Sequence, residues 1–180
     1  MEKRISFIKQ LTDILVSQNS IDQKKAEDIK KALKDMENVP LEEYLLQNAF
    51  VTKSDLLKAL SVYYKVPAFD VSGYLFEHEL LREFPKDVLL RNRIIPIIID
   101  QDILVVATPD PSDESLLVTI GRFVNNDVRF NVGISSDIKD AIEEFYDKSI
   151  TTVDAQDPYF EYLERDDLRK KSLEEEEEKE

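Results

Sequence analysis

The stretch Arg93-Ile-Ile-Pro-Ile-Ile-Ile-Asp-Gln-Asp-Ile-Leu-Val-Val-Ala-Thr108-Pro-Asp-Pro111 holds two β-branched runs separated by a short polar step. Branched side chains are stiff and pack well on a pleated surface, so the pattern predicts strands over 93–99 and 102–108, with Asp100-Gln101 as the hairpin connection. Their near-continuous apolarity predicts strands covered on both faces, or covered on one face with the other docked on helices. Pro109-Asp-Pro111 ends the second strand, because proline has no N–H to offer a ladder. Upstream, Pro85 opens a helix over 86–92. Downstream, Ser112 or Asp113 can cap a helix running to about Phe123, and 127–132 reads as a third strand. Ser135 or Ser136 then caps a last helix with Ile138, Ile142, Phe145 and Tyr146 facing inward. The order ββαβα after a helix describes a small α+β layer.

Further toward the N-terminus the period changes to that of helices. Ile5, Ile8, Leu11 and Leu15 have helical spacing, as do Ala26, Ile29 and Leu33, then Leu41, Tyr44 and Leu45, then Leu56, Leu60 and Tyr63. Four short amphipathic helices follow, with Asp22 and Thr52 as N-caps and Pro40 at the opening of the third. A 30-residue repeat runs through them: Leu11, Leu15, Asn19, Ile21, Asp22, Ala26 and Ile29 stand at the offsets of Leu41, Leu45, Ala49, Val51, Thr52, Leu56 and Ala59. Two helical hairpins of one design must pack on each other, since neither buries its apolar stripe alone. The expected architecture is α+β: N-terminal helical hairpin repeats, then a small three-stranded sheet with flanking helices. Its expected divisions are a helical part, 1–65; a connecting segment, 66–74, with an extended Val66 to Val71 and hinge-forming Pro67 and Gly73; an α+β part, 75–148; and an acidic tail, 149–180.

Composition narrows the chemistry. The formal net charge of −14 opposes binding to nucleic acid or to an anionic membrane surface. Half of that excess lies in residues 151–180, where Glu174 to Glu178 form a run of like charge that reads as a solvated end. Cysteine is absent, and Gly73, Gly121 and Gly133 are spaced for neither a phosphate-cradling loop nor a dinucleotide turn. His78 is the single histidine, so His-rich zinc sites and Cys–His dyads are excluded; within Glu77-His-Glu79 it reads as a surface residue. The longest apolar run, Ile94 to Ile99, is far short of the roughly 20 residues that cross a bilayer. The start lacks the basic-then-apolar pattern of a secretory signal. These features predict a cytoplasmic protein that is not an enzyme and holds no cofactor or metal.

Three stretches carry a family resemblance: Phe84-Pro-Lys-Asp-Val-Leu-Leu-Arg-Asn-Arg-Ile-Ile-Pro96, then Ile103-Leu-Val-Val-Ala-Thr-Pro-Asp-Pro111, then Ser136-Asp-Ile-Lys-Asp-Ala-Ile-Glu-Glu-Phe-Tyr146. With Val51-Thr-Lys-Ser-Asp-Leu-Leu-Lys-Ala-Leu60 and Val66-Pro-Ala-Phe-Asp70 before them, the chain resembles the N-terminal domain of the ATPases that drive type II secretion and type IV pilus assembly. The resemblance covers about residues 40–147. It implies a docking domain that engages the cytoplasmic part of an inner-membrane assembly protein, or the motor ATPase itself, while catalysis resides in later domains. The 180 residues are then either the front end of a motor or a free-standing adaptor. Taken singly, Pro96, Ala107, Asp110 and Pro111 also have plain structural uses at strand ends and turns.

A related subgroup binds cyclic di-GMP through tandem 30-residue motifs with an Arg, two glycines and a downstream Gln. Here the Arg position is Gln10, the glycine positions are Thr12 and Asn19, then Glu42 and Ala49, and the Gln positions are Leu33 and Tyr63. Scaffold residues persist while ligand-approaching ones have changed, which argues against cyclic di-GMP and leaves it as the alternative function. The remaining candidate is Tyr159, Phe160, Tyr162 and Leu163, four large apolar groups among acids, expected either to anchor a partner or to fold back on the domain.

Overall fold

The computed structural model describes residues 2–34, 36 and 39–154, with side chains described between 3 and 147. They fold as α+β. Helices α1 (Glu2–Ser17), α2 (Gln23–Lys34), α3 (Leu41–Gln47) and α4 (Lys53–Tyr64) form the two hairpins. Short helices α5 (His78–Arg82) and α6 (Lys86–Asn92) lead into β1 (Ile95–Asp100) and β2 (Ile103–Thr108). Helix α7 (Ser115–Ile120) crosses to β3 (Asp127–Val132), and α8 (Ser135–Asp154) follows.

The 30-residue register is that of the core. Leu11 and Leu41, Leu15 and Leu45, Ile21 and Val51, Ala26 and Leu56, Ile29 and Ala59 are all buried, each pair one repeat apart. They form one cluster that also takes in Val132 and Ile134, so the hairpins share their core with the end of β3. Burying a Leu or Ile side chain contributes about 1.5–3 kcal/mol, so this cluster dominates the fold's stability. The expected caps form: Asp22 Oδ1 accepts from Lys25 N at 2.7 Å, and Thr52 Oγ1 accepts from Asp55 N at 3.1 Å. Pro40 and Pro85 precede α3 and α6 in extended conformation.

In the sheet, β2 is central, antiparallel to β1 and parallel to β3. Pro96 is followed by a register irregularity that ends before Ile98. The connecting segment adds an extended step: Ala68 bridges Val132, Phe69 N donates to Val132 O, and Val132 N donates to Pro67 O.

Three sequence expectations need correcting. The hairpin connection is Gln101-Asp102, both with positive φ, because polar residues that tolerate that conformation close a two-residue turn. The strands are not covered throughout, since Ile98 and Ile99 are 39% and 43% exposed at the outer end of β1. Ser135 is the first residue of α8, its hydroxyl accepting from Arg93 Nη1. Neither it nor Ser136 has the flanking position of a cap.

The chain divides into two compact units, the first ending at Ile142 and the second starting at Glu143, so the boundary lies within α8 and the segment 66–74 lies inside the first unit. Among the described residues no helix is long and apolar enough to cross a membrane.

Candidate functional site

The helix ends of the two repeats are near-copies. After α1, Ser20 N donates to Leu15 O and Asn19 N to Val16 O; after α3, Phe50 N donates to Leu45 O and Ala49 N to Leu46 O. Both are double-bonded C-terminal motifs that require a left-handed residue, here Asn19 at φ 57° and Ala49 at φ 51°. The backbone turn usually given to glycine is therefore kept at both positions without glycine. Thr12 sits fully buried on α1, its hydroxyl donating to Ile8 O at 2.7 Å. Leu33 is fully buried, and Tyr63 packs edge-on against Phe7 at 4.9 Å between centroids. Gln10 is exposed and bonds to Ser6 on its own helix.

Glu42, on the first turn of α3, lines a cleft of about 270 Å³ with Pro40, Arg93, Ser135, Ser136 and Lys139. Burial pushes its carboxyl above the ordinary carboxylate range, and the nearby Arg93 charge opposes this without reversing it. The Tyr64 hydroxyl is likewise pushed up, chiefly by burial and then by the charges of Asp110 and Glu42. Asp110 turns the chain after β2, its Oδ1 accepting from Ser112 N at 3.1 Å. Two lysines or arginines facing at least as many carboxylates leave this cleft without a net charge that would favour a phosphate.

A polar clamp lies where α4, the connecting segment and α8 meet. Lys53 Nζ is 2.8 Å from Asp137 Oδ2, Ser72 Oγ donates to the same carboxylate oxygen at 3.2 Å, and Lys53 Nζ reaches Ser72 Oγ at 3.3 Å. The Asp137 side chain is 9% exposed, so its charge depends on these two partners.

The family model for the MshEN domain matches residues 64–152, the part of the chain that contains the sheet, the Ser72 and Asp137 members of this clamp and most of α8. Over those residues the chain is similar to MshEN domains. Two solved structures share its fold. One is described as "Structure of MshE with cdg" and is 21% identical with a TM-score of 0.60, the alignment covering 76% of this chain and 98% of that one. The other, "Structure of the N-terminal domain of XpsE", is 16% identical with a TM-score of 0.53, covering 74% and 92%. No curated protein is significantly similar to the chain. The resemblance to the N-terminal domains of secretion and pilus ATPases, drawn above from 40–147, thus coincides with the MshEN match over most of its length.

Of the site residues expected from sequence, Tyr159, Phe160, Tyr162 and Leu163 lie outside the described residues. His78 opens α5 on the exposed surface. The clamp has no signature in the sequence, because Lys53, Ser72 and Asp137 are far apart along the chain and only Asp137, an acid in the first turn of a helix, has a local one.

Proposed function

We propose that the chain is a non-catalytic, cytoplasmic docking domain of a type II secretion or type IV pilus machinery, and that it binds the cytoplasmic part of an inner-membrane assembly protein or the motor ATPase. The observation that carries this is the MshEN match over 64–152, in a chain that has other residues at the Arg, Gly and Gln positions of the cyclic di-GMP motif. Thr12 and Leu33 are buried and Tyr63 packs against Phe7, so these three positions serve the domain's own packing. Co-expression with the cytoplasmic domain of its system's assembly protein should yield a complex that survives size exclusion. Separate elution at micromolar concentrations, for both that domain and the motor ATPase, would sink the docking role. Without a phosphate-cradling loop, no nucleoside triphosphatase turnover above a mock preparation is expected.

A second reading has a specific observation behind it. The MshE structure carries cdg, here taken as cyclic di-GMP, and Asn19 and Ala49 retain the left-handed turns at two of the glycine positions. Against it stand the buried Thr12 methyl and hydroxyl, and the Glu42 carboxylate, which would repel a ligand phosphate. Calorimetric titration with cyclic di-GMP is expected to give no saturable heat, and a stoichiometric isotherm would reverse the ranking.

A further inference from the structure

The two edges of the sheet are built differently. At β1 the ladder carries Pro96 and a register irregularity before Ile98, both of which spoil an edge for further pairing. Strand β3 forms the other edge and has neither. Its backbone groups alternate in direction. Directly after β3, Gly133 N donates to Thr108 O on the β2 side, whereas Val132 N donates to Pro67 O on the outer side. With a period of two, Arg129 and Asn131 turn their N–H and C=O toward β2, and Val128 and Phe130 turn theirs outward. Pro67 and Phe69 take up the outward groups of Val132, but among the described residues nothing bonds those of Val128 and Phe130. Apart from water, what satisfies such an edge is the backbone of another extended strand.

The side chains on this edge select which strand. Asp127 and Arg129 stand on one face of β3, both exposed, and neither has an ion-pair partner among the described residues. A second β3 laid antiparallel on the first has few registers open to it. Centred on Asp127 it sets two carboxylates together, and centred on Arg129 two guanidiniums; like charges directly opposite are destabilising. Centred on Phe130 it brings one copy's Val128 onto the other's Val132, whose outer side Pro67 and Phe69 already occupy. Centred on Val128 it sets Asp127 of each copy against Arg129 of the other, at the non-hydrogen-bonded positions where facing side chains come closest. The chain bends at Asn126, whose Nδ2 donates to Asp102 O at 3.3 Å, so in this register each strand turns away before it reaches the other copy's Pro67 to Phe69.

We propose that two copies of the chain pair β3 to β3 across a two-fold axis at Val128, joining their three-stranded sheets edge to edge. The Val128 N–H of each copy donates to the Val128 C=O of the other, and the Asp127–Arg129 pairs flank these bonds on either side. A single strand carries both halves of the contact, so the axis closes it without help from any other surface. The charges that discourage the neighbouring registers are the ones that favour this register. Backbone bonds and exposed ion pairs over so short a strand make a weak contact that salt weakens further.

Sedimentation of the 180-residue chain over a range of protein and salt concentrations tests the proposal. The expected result is a monomer–dimer equilibrium that shifts toward monomer as salt is added. Arg129→Asp alone, or Asp127→Arg alone, sets like charges together at both flanking positions and should weaken association about tenfold or more. Both changes in one chain exchange the charges and should restore it. Val128→Pro removes an outward N–H while the ladder to β2 uses the groups of the neighbouring residues, so it should also abolish pairing. Asp127 and Arg129 are exposed, so the charge variants should melt as the wild type does, and they decide the matter even if the proline variant folds poorly. A dimer indifferent to either single reversal, or an exchanged chain that stays monomeric, would overturn the proposal. So would a wild type that is monomeric up to its solubility limit; if Val128→Pro then weakened capture of the assembly protein's cytoplasmic domain, the edge would pass to a strand of that partner.

Discussion

At Ala49 the repeat design and residue chemistry pull apart. A Cβ in left-handed conformation costs roughly 1–2 kcal/mol, and alanine, unlike Asn19 in the first repeat, has no polar side chain to soften it. Ala49→Gly should therefore stabilise the chain by about 1 kcal/mol after the extra backbone entropy of glycine is offset, and Asn19→Gly by clearly less. Urea midpoints at constant slope read both effects, and a destabilised Ala49→Gly would mean that the Ala49 methyl packs usefully. Glu42 gives a pH-dependent counterpart. Burial raises its folded pKa above that of an ordinary glutamate, so the protonated form favours the fold and the advantage is lost as pH rises through the raised value. Glu42→Gln should thus raise the melting temperature at pH 7 and make no difference once the pH is well below 4.5. Equal gains at both pH values would show that charge burial is not the cause.

Elements tell a similar story of what short-range pattern reaches and what it does not. The hairpin register, the proline-opened helices and the span of β3 were legible because each follows from spacing or from a residue's own backbone preference. The strand turn fell one residue later than expected, because Asp100 pairs with Ile103 in the ladder and leaves Gln101-Asp102 to turn. Ser135 misled because its hydroxyl answers to Arg93, 42 positions away, rather than to its own helix end. The Lys53–Ser72–Asp137 clamp was illegible for the same reason. It fixes the connecting segment near its Ser72 end, while Pro67 and Phe69 are fixed by backbone bonds to Val132. Asp137→Ala removes an acceptor that is nearly buried but whose cation is half exposed, so the expected cost is about 1–2 kcal/mol rather than that of a fully buried pair. Limited proteolysis should then cut faster between residues 70 and 76 and leave 94–108 intact. Faster cutting inside 94–108 would mean that the clamp supports the sheet and not the join, and would count against a structural division of the chain at 66–74.

For the whole molecule the open question is where recognition energy comes from. The described residues offer scattered apolar exposure, at Leu75, Leu117, Val118, Ile98 and Ile99, and no group of His, Cys, Asp and Glu arranged to hold a metal. Tyr159, Phe160, Tyr162 and Leu163 add four large apolar groups in a stretch whose other members are mostly acids. Large aromatic anchors can each contribute about 2 kcal/mol or more to an interface, enough for two of them to change affinity a thousandfold. We propose that this segment takes part in capturing the assembly-protein partner. Helix α8 runs to Asp154, so removing residues 155–180 leaves every described element complete. The shortened chain should keep its melting temperature and lose most of its affinity for the cytoplasmic domain of the partner, measured by titration. A fall of several degrees with affinity retained would assign the four residues to the domain's own packing. Unchanged melting and unchanged affinity would leave the acidic segment without a role in either, and would move the search for the docking surface to the exposed groups of the α+β part.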